Sequence, residues 1–206
     1  MENGEKFMVQ NFKQNNMDIK NLSIIRQSFA NTVFTHKTQE VAAENQEKNV
    51  LKVKITNIIL VGIALLLLFL QASNLKNILF SYAATGVIIA EVIFLIIQLS
   101  FSFEQRATIH KNSALKYMGL RDSYRSLIAD IMNESITTET LIAKRDLLQR
   151  NYQIISDLAP QTCSKEYKEA QRRLNKRGVV EGEEFTWSDD EIDRFLPENL
   201  RLNNAK

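Results

Sequence analysis

Glycine and proline are scarce in this chain, with six glycines and two prolines in 206 residues. Turn-dense β architectures need many more of both, so no strand is expected and long helices are. The single cysteine, Cys163, has no partner for an intramolecular disulfide and no His or Cys neighbours at ligand spacing, so it reads as a reduced thiol. The two histidines, His36 and His110, lie far apart and read as packing residues, and no metal is expected. A glycine-rich phosphate loop, a nucleophile elbow and HExxH are all missing, and the pair Asp189 and Asp190 sits in a charge run. Enzyme chemistry and a cofactor are therefore not expected. The formal net charge is only +2, and direct nucleic-acid binding is not expected. No apolar core with a small-residue cleavage site occurs in the first twenty residues, which excludes a secretory signal there.

Apolar length is what the chain has in abundance. The runs Ile55 to Leu70 and Ile78 to Phe103 are separated by the seven residues Gln71 to Asn77. A helix needs about 20 mostly apolar residues to cross a hydrocarbon core, and a helix also satisfies its own backbone in lipid. The pattern predicts a two-transmembrane hairpin with spans at about 53–72 and 78–103, the first borrowing Val53 and Ala72 while Lys54 snorkels. Fifteen Leu, Ile, Val and Phe residues in the second run outweigh its one acid, Glu91. Lys76 and Glu91 are the only formal charges between Ile55 and Phe103, so the mean hydropathy of −0.20 averages two unlike materials. Lys48, Lys52 and Lys54 precede the hairpin and Arg106, Lys111, Lys116 and Arg121 follow it, against Lys76 alone in the connection. The positive-inside rule then places both termini in the cytoplasm of a multi-pass inner-membrane protein.

The rest reads as helix too, giving an all-α membrane protein whose long helices extend from the hairpin into a cytosolic bundle. Residues 1–20 are expected to be a flexible N-terminus and 21–54 an amphipathic helix with Leu22, Ile25, Phe29, Val33 and Phe34 on its stripe. No proline or glycine interrupts the chain from Phe7 to Gly62, which predicts one helix running into the first span. Beyond 103, in a cytosolic region at 104–177, Ala107, His110, Ala114, Tyr117, Arg121, Tyr124, Ile128 and Ile131 continue a heptad-like seam from Phe103. A break rich in Ser and Thr at Asn133 to Thr138 precedes a helix with Leu141, Leu148, Tyr152 and Ile155 on one face, ended by Pro160. A basic helix from Ser164 to about Arg177 is expected to end at Gly178. The tail at 178–206 holds eight acidic and three basic residues. Its Ser188 and Glu191 have capping-box spacing, and it is expected either to dock against Lys165, Lys168, Arg172, Arg173, Lys176 and Arg177 or to hang loose beside them, leaving a solvated basic face.

Within the second span, Ser81, Ala84, Ile88, Glu91, Leu95, Gln98, Ser102 and Gln105 follow at steps of three and four. A polar seam at membrane depth seeks company, and oligomerisation would gather several Glu91 carboxyls about an axis, as a water-lined ring or as buried neutral groups. The alternative is a Glu91 hydrogen-bonded inside its own hairpin. Asn57, Ala64 and Gln71 form a weaker counterpart in the first span, and Gly86 with Ala90 would let helices approach closely.

A cytosolic helix, a two-span hairpin with a short loop, and a following helix bearing Arg106, His110, Lys111, Ala114, Tyr117 and Arg121 together resemble the SLATT family over about Leu22 to Arg177. The resemblance implies a two-transmembrane effector of CBASS-like prokaryotic antiviral defence, forming pores that kill or arrest an infected cell. It also implies an upstream nucleotidyltransferase or reverse-transcriptase component and a nucleotide second messenger. Alongside lipid and a second copy of the chain, an anionic ligand or lipid headgroup is the expected partner of Arg172, Arg173, Lys176 and Arg177. The competing reading is a membrane-tethered scaffold or nucleotide-sensing module that recruits a cytosolic partner without forming a pore.

Overall fold

The computed structural model describes residues 2–73, 78–176 and 186–202, with side chains described from Ile19 onward. Helix is the regular structure throughout these residues, in the order α1 (Glu2–Ala72), α2 (Ile78–Ser100), α3 (Phe103–Met132), α4 (Thr138–Leu158), α5 (Ser164–Arg173) and α6 (Asp189–Asp193), followed by a 3-10 turn at Glu198–Leu200. The chain divides into two compact units, residues 1–42 with 110–206, and residues 43–109. The hairpin unit thus takes in helical residues on both flanks of 55–103.

α1 spans 71 residues without a break, as the lack of proline and glycine predicts. It begins at Glu2, so no helix boundary marks the expected transition near residue 20. Buried hydroxyls along it are satisfied locally: Thr32 Oγ1 donates to the Ser28 carbonyl at 2.8 Å and Thr38 Oγ1 to the Phe34 carbonyl at 2.9 Å. The second helix is less continuous than its sequence suggests. α2 stops at Ser100, and α3 begins at Phe103 with the Arg106 amide donating to the Ser102 carbonyl. Ser102 followed by Gln105 has the spacing of a helix N-terminus, so the seam drawn through both residues crosses a helix boundary.

In the larger unit, Ile25, Phe29, Ala30, Val33 and Phe34 of α1 pack with Leu120, Tyr124, Leu127 and Ile128 of α3 and with Leu141 and Leu148 of α4. Tyr152 and Ile155 lie partly buried against this core. The α3 seam departs from expectation at Arg121. Leu120 is buried in its stead, while Arg121 turns to Asp122 at 3.0 Å, because a guanidinium retains its solvent and partner more readily at the edge of the packed face. Burial pushes the Tyr124 phenol up to about 12, although a hydrogen bond with Ser28 works the other way.

Helix ends follow cap chemistry. Thr137 Oγ1 accepts the Thr140 amide at the start of α4, and Ala159, extended ahead of Pro160, ends it. α5 ends earlier than expected, at Arg173: Asn175 adopts φ 52°, and the Lys176 amide donates to the Gln171 carbonyl in a Schellman arrangement. Asparagine therefore does what Gly178 was expected to do; Arg177 and Gly178 lie outside the described residues. α3 closes in the same way, with Glu134 at φ 50° and the Ser135 amide donating to the Asp130 carbonyl. A side chain there carries a penalty of about 1–2 kcal/mol that glycine avoids, part of which the greater freedom of glycine in the unfolded chain returns. Glu134→Gly is expected to stabilise the protein by up to about 1 kcal/mol, read as a rise in the urea midpoint of the detergent-solubilised chain; a fall in the midpoint would contradict this account of the cap.

Candidate functional site: a polar column in the hairpin and a clasp on the first helix

The hairpin unit is ordered inside out relative to a soluble helix pair. Ile58, Leu65, Phe69, Leu79, Tyr82 and Leu99 point outward and are exposed. Val53, Asn57, Leu60, Ala64 and Leu67 of α1 are partly covered, as are Ser81, Val87, Glu91, Phe94 and Gln98 of α2, and Ala84 is buried. The covered face thus mixes Asn57, Ser81, Glu91 and Gln98 with aliphatic side chains, while the exposed face is almost wholly apolar, the distribution that lipid requires and water does not. Gln71 Nε2 reaches Ser81 Oγ at 3.5 Å near the connection, and Lys54 Nζ pairs with Glu104 Oε1 at 2.7 Å at the other end. Between these ends, Asn57 Oδ1, Glu91 Oε2 and Gln98 Oε1 are buried without a hydrogen-bond partner.

Four of the predicted seam residues, Ser81, Ala84, Glu91 and Gln98, therefore lie on the covered face of α2. Ile88 and Leu95 turn outward at 43% and 41% exposure, and Ser102 and Gln105 are exposed at the helix boundary. Gly86 and Ala90 do not bring the two spans together. Both are exposed, and a Cβ at Gly86 would meet nothing within 4 Å. At 100° per residue they lie roughly opposite Ala84, which is the small residue that the protomer uses for close approach.

In the larger unit the acidic tail is docked on α1 and also meets the basic helix and its end, where Ala170, Tyr167 and Leu174 share a core with Trp187, Ile192 and Leu196. Gln27 grips the backbone of Trp187 from both sides, donating to its carbonyl at 2.6 Å and accepting its amide at 2.9 Å. Trp187 Nε1 donates to Asn31 Oδ1 at 2.8 Å, and its ring lies against Phe34 and Phe195. Arg26, 1% exposed, donates to Asp193 at 2.6 Å and approaches Asp189 at 3.4 Å. From the basic set, Lys176 joins the clasp through Glu191, the Thr186 carbonyl and the Trp187 ring. The capping box forms as its spacing predicts, Ser188 and Glu191 exchanging side chain to backbone contacts.

The expected anion cluster is already matched from within. Arg172 closes on Glu169 with two hydrogen bonds of 2.8 and 2.6 Å, and Arg173 adds a third at 2.8 Å. Those bonds hold Glu169 at about 2, so its charge persists at any neutral pH. An incoming anion at Arg172 and Arg173 would meet this carboxylate beside them, while Arg177 lies outside the described residues.

His110 fills a packing role. Gln39 Nε2 donates to the Pro160 carbonyl, which leaves Gln39 Oε1 to accept from His110 Nδ1 at 2.7 Å. This chain of bonds ties α1, α3 and the α4–α5 connection together. His36 lies on α1 beside Lys37, which pairs with Glu40. Burial holds His36 below its usual 6.5, Arg121 and Lys37 push the same way, and Glu40 and Asp122 oppose them.

A family model matches residues 22–191, the SMODS and SLOG-associating 2TM effector domain family 4. The chain belongs to the SLATT family. The match runs beyond the expected limit near Arg177 and takes in Trp187, Ser188 and Glu191, so the first part of the docked segment lies within the SLATT domain. Two candidate membrane spans, within Ile19–Ala72 and Ile78–Met132, agree with the two-transmembrane description. No curated protein and no solved structure matches the chain.

Two outcomes follow from the clasp and its surroundings. Asp193→Ala leaves Arg26 buried without its nearest anion and is expected to destabilise the SLATT domain by about 3–5 kcal/mol, whereas Arg26→Met with Asp193→Leu recovers most of that loss. Equilibrium unfolding of the three proteins checks the order. For His36 the depressed native pKa means that the unfolded chain takes up the proton first. Its contribution is therefore complete above about pH 6.5 and is lost as pH falls. His36→Gln should flatten the acid limb of stability between about pH 7.5 and pH 5.5, and an unchanged slope would exclude His36 as its source.

Proposed function

We propose that this SLATT protein is a pore-forming effector: an oligomer in a prokaryotic inner membrane, both termini cytoplasmic, that permeabilises the membrane when an upstream nucleotide-signalling partner is engaged and so halts an infected cell. The observation that carries this reading is the column Asn57, Glu91 and Gln98, three partly covered polar side chains each with a buried oxygen lacking a partner. Groups of that kind carry a desolvation penalty that a merely structural hairpin would shed by substituting aliphatic residues. A state in which the hairpins separate or re-pair around a common axis would give these oxygens water or one another, and an axis ringed by Glu91 favours cations. Gly86 and Ala90, idle within the protomer and facing outward, suit close contact between copies.

The clasp supplies a resting restraint on the same helix that bears Asn57. Any signal that opens the pore must bind the open state better than the closed one, and a ligand or partner that competes with the tail for Gln27, Arg26 and Asn31 has that property. Absence of a free anion cluster at Arg172 and Arg173 speaks for this route over direct nucleotide capture there.

The test is membrane depolarisation on expression, paired with ion efflux from liposomes holding the purified chain. Trp187→Ala is expected to raise basal efflux, and adding Glu91→Leu to it is expected to lower efflux at least about tenfold at equal membrane content, since the aliphatic side chain removes the central polar group of the column. Efflux that is indifferent to residue 91 would remove the pore reading.

A further inference from the structure

The end of the hairpin opposite its short connection carries a cavity of about 350 Å³ within residues 43–109, lined by Lys54 from α1 and by Gln98, Phe101, Ser102 and Glu104 about the α2–α3 boundary. We infer that this cavity is a headgroup site for a phospholipid bearing a primary ammonium, of the phosphatidylethanolamine class. Three features make the chemistry specific. Lys54 and Glu104 are ion-paired at 2.7 Å with both side chains more than half exposed, so a headgroup carrying one charge of each sign can exchange this pair for two at the cavity mouth without leaving either residue unmatched, as a simple anion cannot. A zwitterionic headgroup, with phosphate and ammonium two carbons apart, matches that order of charge. Helix geometry leaves the Glu104 and Gln105 amides in the first turn of α3 without intrahelical acceptors, at the end of a 30-residue helix where the dipole favours phosphate. Gln98 lines the same cavity, and its Oε1, buried and without a partner, is an acceptor for an ammonium N–H.

Depth agrees with the chemistry. Lys54 stands at the start of the first span and Glu104 just beyond the second, where headgroups lie. Phe101 and Phe103 stack at 5.7 Å and present aromatic faces at the level that suits acyl-chain ends and glycerol. Lys54 also holds the Glu104 carboxyl below its ordinary range, first by its hydrogen bond and then by its charge, so the acceptor stays ionised. A choline headgroup has no N–H to give Glu104 or Gln98, and a glycerol headgroup offers phosphate but no cation. Discrimination is therefore expected between headgroups of equal acyl composition.

The experiment is native mass spectrometry of the full chain released from mixed micelles holding equal amounts of phosphatidylethanolamine, phosphatidylglycerol and phosphatidylcholine. The ethanolamine lipid is expected to be retained at least about fivefold over either competitor, a difference of roughly 1 kcal/mol. Glu104→Gln should abolish that preference while leaving phosphatidylglycerol retention intact, and Lys54→Met should lower retention of both. Lys52→Gln, which removes a nearby charge outside the cavity, should change neither. Glu104→Asp, keeping the charge but drawing it back, gives an intermediate preference and serves if the glutamine variant does not fold. Soluble phosphoethanolamine should compete where inorganic phosphate does not. Equal retention of the three lipids, a preference that survives Glu104→Gln in folded protein, or competition by inorganic phosphate equal to that by phosphoethanolamine would overturn the assignment.

Discussion

The unbroken hydrogen-bond ladder of α1 is the constraint on which the rest of the structure depends. Because 71 residues continue as one helix, a single element serves two environments. Its N-terminal part presents Ile25, Phe29 and Phe34 to a protein core, and its C-terminal part presents Ile58, Leu65 and Phe69 outward. The first is held by packing and hydrogen bonds in water, where burial of apolar surface drives assembly. The second has no such drive between helices in lipid, where close approach and polar contacts must act instead. The small residue Ala84 on the covered face, and a hydrogen bond and an ion pair at the two ends of the hairpin, are what that second regime predicts.

Periodicity exposed the parts of this design that depend on apolar spacing. The stripe on α1, the two spans, the face of α4 and the capping box at Ser188 all follow from local rules that a sequence states openly. What it concealed were contacts between residues far apart in the chain. Opposite charge on the tail and the basic helix suggested that the two would meet, and Lys176 does take Glu191; the sequence did not show that Arg26, a lone basic residue on an amphipathic stripe, takes Asp193, or that Glu169 binds Arg172 and Arg173 from three and four residues away. The break at Phe101 and Ser102 had a signal in the Ser-x-x-Gln spacing, but an apolar run continuing through it masked the boundary. Asn175 shows the same lesson at a helix end, since asparagine enters the left-handed region readily enough to stop a helix before the nearest glycine.

The covered position of Glu91 changes the meaning of the polar seam. Had the seam faced outward, each copy would present its carboxyl to lipid or to a neighbour, and assembly alone would create a polar path. Facing inward, the residue is shielded by its own hairpin, and assembly of hairpins in this state leaves apolar surface on every outer face. Gly86 and Ala90 are exposed on the outer face and Glu91 is on the covered one, so contact through the first two leaves the third in place, and exposing Glu91 requires α1 and α2 to change their pairing. Arg26 at the clasp and Asn57 in the hairpin belong to the same helix, α1. The unsatisfied oxygens of the column set the sense of that balance, for they raise the energy of the paired state and lower the work needed to leave it. A hairpin with an aliphatic interior would be more stable and, for the same reason, harder to open.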